Sequence, residues 1–132
     1  MIRRGACHRG AVRFTADVDL ATARRCDCSL CRMRGAVAVS TTPEGLRILE
    51  GRDALALYTF GTGVARHWFC RQCGVYTHHR RRSDPGQIGV NLACLDGATP
   101  FLPEVPVNDG VNHPSDGAAP RVAGVLRYEA RP

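Results

Sequence analysis

The chain has 132 residues, enough for one domain spanning 1–132 and too few for two that would each bury a useful core. An apolar fraction of 44% argues against disorder, and no stretch approaches the roughly 18–20 apolar residues of a membrane helix. The formal charge of +6 rests on 18 arginines with no lysine, which fits either the Ala- and Gly-rich composition or an anionic partner gripped by forked guanidinium groups.

In chain order, GAVRFT (10–15) alternates apolar and polar residues as a half-buried strand does. ATARRC (21–26) predicts a short strand that delivers Cys26. CSLCRMRG (28–35) is too short and too Gly-bounded for a long helix and predicts a metal knuckle or one helical turn. AVAVST (36–41) and LRILE (46–50) predict two strands separated by the turn Thr42-Pro43-Glu44-Gly45. LALYTF (55–60) predicts a further strand, ended by Gly61-Thr62-Gly63. ARHWFC (65–70) and VYTHHR (75–80) predict a hairpin with a cysteine on each side of its turn, and IGVNLACL (88–95) another strand. Five of the eight prolines (Pro100, Pro103, Pro106, Pro114 and Pro120) fall in 96–120, which predicts a Pro-rich ordered loop or lid. VLRYE (125–129) is the expected closing strand. Many short strands, little helix and no nucleotide-binding glycine motif predict an all-β domain. With only eight aromatic residues for its core, such a domain gains from a metal or disulfides.

MIRRGACHRGAV at the N-terminus lacks the apolar run of a signal peptide, so the expected compartment is cytoplasmic, where thiols stay reduced. Seven cysteines then point to metal or chemistry before disulfides. Cys70-x-x-Cys73-Gly74 has the form of a zinc knuckle; a redox centre of that spacing belongs with a βαβ pattern that the chain lacks. Cys26-x-Cys28-x-x-Cys31 gathers three thiols that a bend could turn towards one ion. Three protein ligands leave a fourth position on zinc for water or substrate. The spacing also allows one shared, closed zinc on Cys28, Cys31, Cys70 and Cys73, and the residues alone leave both arrangements open.

GACHRGAVRF (5–14), CDCSLCR (26–32) and WFCRQCG (68–74) together resemble, in order and separation, the motif series of the glutathione-dependent formaldehyde-activating enzyme family, over residues 5–97. The resemblance implies a small zinc-binding β-tent of stacked antiparallel sheets with zinc knuckles. It implies a zinc-dependent carbon–sulfur lyase acting on a thiol/aldehyde adduct, such as S-hydroxymethylglutathione formed from glutathione and formaldehyde. It further implies an open, catalytic zinc on Cys26, Cys28 and Cys31, and a structural zinc on Cys7, Cys70 and Cys73. Relatives resembling centromere protein V share the cysteine pattern, so the alternative is a non-catalytic, zinc-stabilised module that binds protein or nucleic acid.

One position departs from the family pattern: Arg9 stands where a second cysteine is usual. The structural site thereby loses a thiolate and faces a cation, so an impaired or vacant site is expected. His8 or His67 could supply a fourth ligand, although strand alternation turns His8 away from Cys7. A water could instead complete the tetrahedron, or the site could be empty with Arg9 making charge-assisted contacts to the thiolates. Other candidates are His78 or His79 as a general base, His113 closing over a pocket, and Cys94 as a buried apolar residue or spare ligand in a strand. Trp68 and Phe69 read as core. Arg32, Arg34 and Arg66 could grip the carboxylates of an acidic thiol. Expected partners are small thiols and aldehydes, with no membrane; nucleic acid is disfavoured, since only Arg80–Arg82 forms a basic run and no aromatic alternates with it. Oligomerisation is left open.

Overall fold

The computed structural model describes residues 1–132, with eleven strands, one short helix and four 3-10 turns. Strands β1 (Ile2–Ala6), β2 (Arg13–Asp17) and β5 (Leu46–Glu50) form a three-stranded antiparallel sheet. The other strands are β3 (Asp19–Cys26), β4 (Ala38–Thr41), β6 (Leu55–Tyr58), β7 (Arg66–Cys70), β8 (Tyr76–Arg80), β9 (Ile88–Asn91), β10 (Glu104–Asn108) and β11 (Val122–Arg127). They form an eight-stranded sheet in the order β11-β10-β3-β4-β9-β8-β7-β6. Its neighbours are antiparallel except β10 and β3, which pair in parallel through Val107 with Arg25 and Asn108 with Cys26. This two-sheet, mostly β architecture bears out the expected fold class. No helix is long and apolar enough to cross a membrane.

The core follows from strand alternation. On β2, Phe14 and Ala16 point inward while Arg13 and Asp17 stay exposed. They meet Val39, Val90, Ile88 and Val105 from the larger sheet and Leu92 from the turn after β9. Burying Phe14 almost completely contributes about 2–3 kcal/mol. Its ring lies on Gly5, where a Cβ would come within 2.7 Å of Phe14 Cε2, so β1 can sit flat only with glycine there.

Three expectations are corrected. The GAVRFT strand begins only at Arg13, because residues 7–12 close a turn through Cys7 N–H to Val12 O (3.1 Å) and Gly10 N–H to Cys7 O (3.0 Å). The IGVNLACL strand stops at Asn91, whose side chain accepts the Ala93 N–H at 3.1 Å and starts a 3-10 turn, so Cys94 lies in that turn and not in a strand. The Pro-rich stretch also contains a strand, β10. Pro106 is tolerated inside it because the pairing with β3 starts one residue later, at Val107.

Candidate functional site

β3 ends at Cys26 and delivers it beside the first turn of α1 (Ser29–Arg34). Cys28 is the N-cap of α1: its Sγ accepts the Cys31 N–H at 3.4 Å, and its own N–H points at Cys26 Sγ at 3.5 Å. Gly35, with φ of 71°, ends the helix by donating its N–H to Cys31 O. The predicted knuckle and short helical turn are therefore one structure. It holds the three sulfurs within 4.8 Å of one another. Thiol–thiol hydrogen bonds from Cys26 and Cys31 hold the Cys28 thiol far below its ordinary range, and the same contacts push Cys31 up. A soft, thiophilic ion would let all three thiols ionise. The donor set fits such a metal.

The second trio joins Cys7 from the turn after β1, Cys70 from the end of β7 and Cys73 from the β7–β8 turn, again with sulfurs within 4.8 Å. Backbone N–H groups point at these sulfurs, from Val12 to Cys7 and from Gln72 to Cys70, each at 3.4 Å. Burial pushes the Cys73 thiol up, but N–H groups of Arg9 and Val75 outweigh it and hold the thiol at about 6. This trio also could hold a metal, and the cation expected to impair it, Arg9, turns its guanidinium away from the sulfurs. The two trios are separate, which overturns the single shared site on Cys28, Cys31, Cys70 and Cys73. No His, Asp, Glu or further Cys joins either one.

Neither histidine expected as a fourth ligand is placed for it. His8 is exposed on the turn, and His67 lines the cleft beside the other trio. Arg9 does not put its guanidinium on the thiolates; Nε donates to Gln72 Oε1 at 2.6 Å on the surface.

Cys26, Cys28 and Cys31 line a cleft of about 470 Å³ into which six arginines project: Arg24, Arg25, Arg34, Arg81, Arg82 and Arg121. Two of them are neutralised, Arg121 by Asp109 and Arg82 by Asp116, each at 2.7 Å. Arg24 is held by Ser40 Oγ at 3.0 Å, and burial, followed by the neighbouring Arg81, lowers its pKa to about 10. Of the three arginines expected to bind carboxylates, only Arg34 reaches the cleft; Arg32 and Arg66 are exposed elsewhere. Arg34 spans the site. Its Nη2 lies 3.6 Å from Cys31 Sγ, its Nη1 3.0 Å from His67 Nδ1, and its Cζ 3.7 Å from the Tyr76 ring centre.

His78 and His79 do face opposite sides of β8. His78 is buried away from the cleft, stacked on Trp68 at 4.7 Å and bonded through Nδ1 to Thr77 Oγ1. Burial lowers its pKa to about 4. His79 lines the cleft, bonded through Nδ1 to the Tyr76 hydroxyl, and burial followed by Arg34 holds it well below its ordinary value. His67 is lowered to about 4, again by burial first and Arg34 second. His113 lines the cleft half-buried, accepting the Ser115 N–H. Cys94 is buried, outside both trios, with its thiol pushed up to about 12 by burial. Trp68 and Phe69 are half-buried and line a second, mainly apolar cavity of about 550 Å³ that shares Arg34, His67 and Tyr76 with the cleft.

Residues 109–121 form one side of the cleft. The Asp109 carboxylate accepts N–H groups from Val111 and Asn112 as well as Arg121 Nε; the Asn112 N–H first, then Arg121, hold it at about 2. Gly110 donates to Asp27 Oδ1 at 2.8 Å and lies against the thiols. A Cβ there would sit 2.7 Å from Cys28 Cβ and closer still to Cys26 Sγ, so any larger residue would displace this loop or the cysteines.

Two comparisons bear on this arrangement. The crystal structure of a Rhodobacter sphaeroides protein is similar to it, with 52% identity and a TM-score of 0.77 over 79% of this chain and 98% of that one. The sequence pattern of the family described as glutathione-dependent formaldehyde-activating enzyme matches residues 2–108, a span that contains both cysteine trios. Spacing, fold and match agree, and the chain belongs to the glutathione-dependent formaldehyde-activating enzyme family.

Proposed function

We propose that the protein is a zinc-dependent carbon–sulfur lyase that joins a small, carboxylate-bearing thiol such as glutathione to formaldehyde, and cleaves the same adduct in reverse. The observation that carries this reading is a trio of sulfurs, with no fourth protein ligand, on the wall of an arginine-lined cleft. Cys26, Cys28 and Cys31 would hold the ion, which when bound supplies Lewis-acid polarisation and favours a thiolate over a thiol. The chain's own residues do the rest. Arg24 and Arg81, with no acidic side chain paired to them, attract and orient the carboxylates of the thiol. Asp109 and Gly110 fix the wall against the thiols and limit the water that reaches them. All seven cysteines are free, which suits the reducing cytoplasm.

The test is exchange NMR on ¹³C-formaldehyde with the zinc-loaded protein. Glutathione is expected to be converted faster than the uncatalysed reaction, and the carboxylate-free thiol cysteamine at least about tenfold less efficiently, the effect of losing about 1.4 kcal/mol of ion pairing. No acceleration with glutathione sinks the reading; equal rates for the two thiols sink the role of the arginines.

Cys7, Cys70 and Cys73 would hold a second zinc that ties β1 to the β7–β8 hairpin. Arg9→Cys supplies the thiolate this site lacks. It is expected to slow zinc loss to a chelator about tenfold and to raise Tm by roughly 3–6 °C. Unchanged chelation kinetics would mean that the three thiols already satisfy the ion.

A further inference from the structure

His67 is buried in the cleft wall with one ring nitrogen left over. It is 7% exposed and stacked between Phe60 at 5.9 Å and His79 at 5.4 Å. Arg34 Nη1 lies 3.0 Å from its Nδ1. A guanidinium has donors only, so Nδ1 must accept, and a neutral ring then carries its proton on Nε2. Nε2 is buried and has no partner in the protein, so an acceptor reaches it only when the cleft wall yields to the bound adduct. Unpartnered buried donors are costly and uncommon, which marks this one as waiting for an acceptor. The same guanidinium reaches Cys31 Sγ at 3.6 Å, so a single fork sets the imidazole beside the thiol trio.

Resting on the function proposed above, we infer that His67 Nε2–H is a hydrogen-bond donor to the oxygen of the reacting carbon: the carbonyl oxygen of the aldehyde and the hydroxyl oxygen of its thiol adduct. The arginines already offer charged donors to carboxylates. A neutral donor held by Arg34 suits an oxygen that is uncharged at the start and gains charge as the bond forms. In the forward direction the thiol gives up its proton to water and its sulfur forms the C–S bond. The π pair of C=O moves onto oxygen, which takes up one proton from water, so atoms and charge balance with no oxidant or reductant. His67 keeps its own proton throughout.

The experiment uses the full-length, zinc-loaded protein labelled with ¹⁵N-histidine. Long-range ¹H–¹⁵N spectra are expected to show His67 as the Nε2–H tautomer. Its Nε2 signal should shift when S-hydroxymethylglutathione is present and stay unmoved by glutathione alone. In parallel, His67→Phe is expected to lower kcat about 10²–10³-fold with unchanged zinc content and glutathione affinity, and His67→Asn, which restores a donor, to recover part of the loss. An Nδ1–H tautomer, an Nε2 signal indifferent to the adduct, or a His67→Phe variant with normal kcat would each overturn the inference. If His67→Phe fails to fold, the spectra of the unmutated protein decide. The adduct also forms in solution without enzyme, so a protein that binds it through Nε2–H yet gives no acceleration would refute the lyase reading while leaving the hydrogen bond standing.

Discussion

Cys28→Ser is expected to cut the rate of C–S bond formation about a thousandfold or more while the fold survives. If the trio holds a substrate-polarising ion as proposed, removing one thiolate forfeits several kcal/mol of transition-state stabilisation, and each 1.4 kcal/mol is a factor of about ten. The substitution is otherwise gentle. Cys28 is the N-cap of α1 and accepts the Cys31 N–H through its side chain. Serine is a favoured N-cap that can accept the same bond, so the helix start is retained. The thiol is also only half-buried, so little packing is lost. Far-ultraviolet circular dichroism and Tm should stay close to those of the parent while turnover disappears. A variant with substantial turnover would show that this trio is not the reacting centre.

Cys70→Ser should do the opposite, lowering Tm by more than about 15 °C or preventing folding. Cys70 is fully buried, part of the core cluster, and at the junction of β7 with the turn that meets Cys7. Structural zinc contributes apparent free energies of about 10–16 kcal/mol in small zinc-dependent peptides, as much as the whole stability of many domains. Serine there would weaken the ion's hold and bury a hydroxyl in its place. The contrast is the expected result: Cys28→Ser loses the chemistry and keeps the fold, and Cys70→Ser loses the fold. Thermal melts with metal content measured on the same samples check it, and equal Tm for Cys70→Ser and the parent would remove the structural role of this site.

What the sequence made legible was local. Cys26, Cys28 and Cys31 lie within six positions, so their convergence needs only the bend between β3 and α1. Phe14 and Ala16 could be placed in the core because β2 alternates cleanly. The cleft walls were not legible, because they come together through long-range pairing. Arg24 and Arg25 precede Cys26 on β3, Arg81 follows β8, and Arg121 precedes β11; nothing local marks them as neighbours. The prolines at 103 and 106 hid β10, the strand that carries Asn108 to Cys26 and sets Gly110 on the thiols. His67 is three residues from Cys70 in sequence, and that closeness points to the wrong centre. The register irregularity at Trp68 and Phe69 is invisible in the sequence, and the ring joins Arg34 and His79 in the cleft instead.

The proposed chemistry depends on a metal at Cys26, Cys28 and Cys31 that can take one more sulfur from outside the protein. Zinc K-edge X-ray absorption on the loaded protein, before and after glutathione is added, tests this most directly. The expected result is a gain in sulfur scattering on adding glutathione, absent in Cys28→Ser. A spectrum that glutathione leaves unchanged, with four protein donors already around each ion, would contradict it.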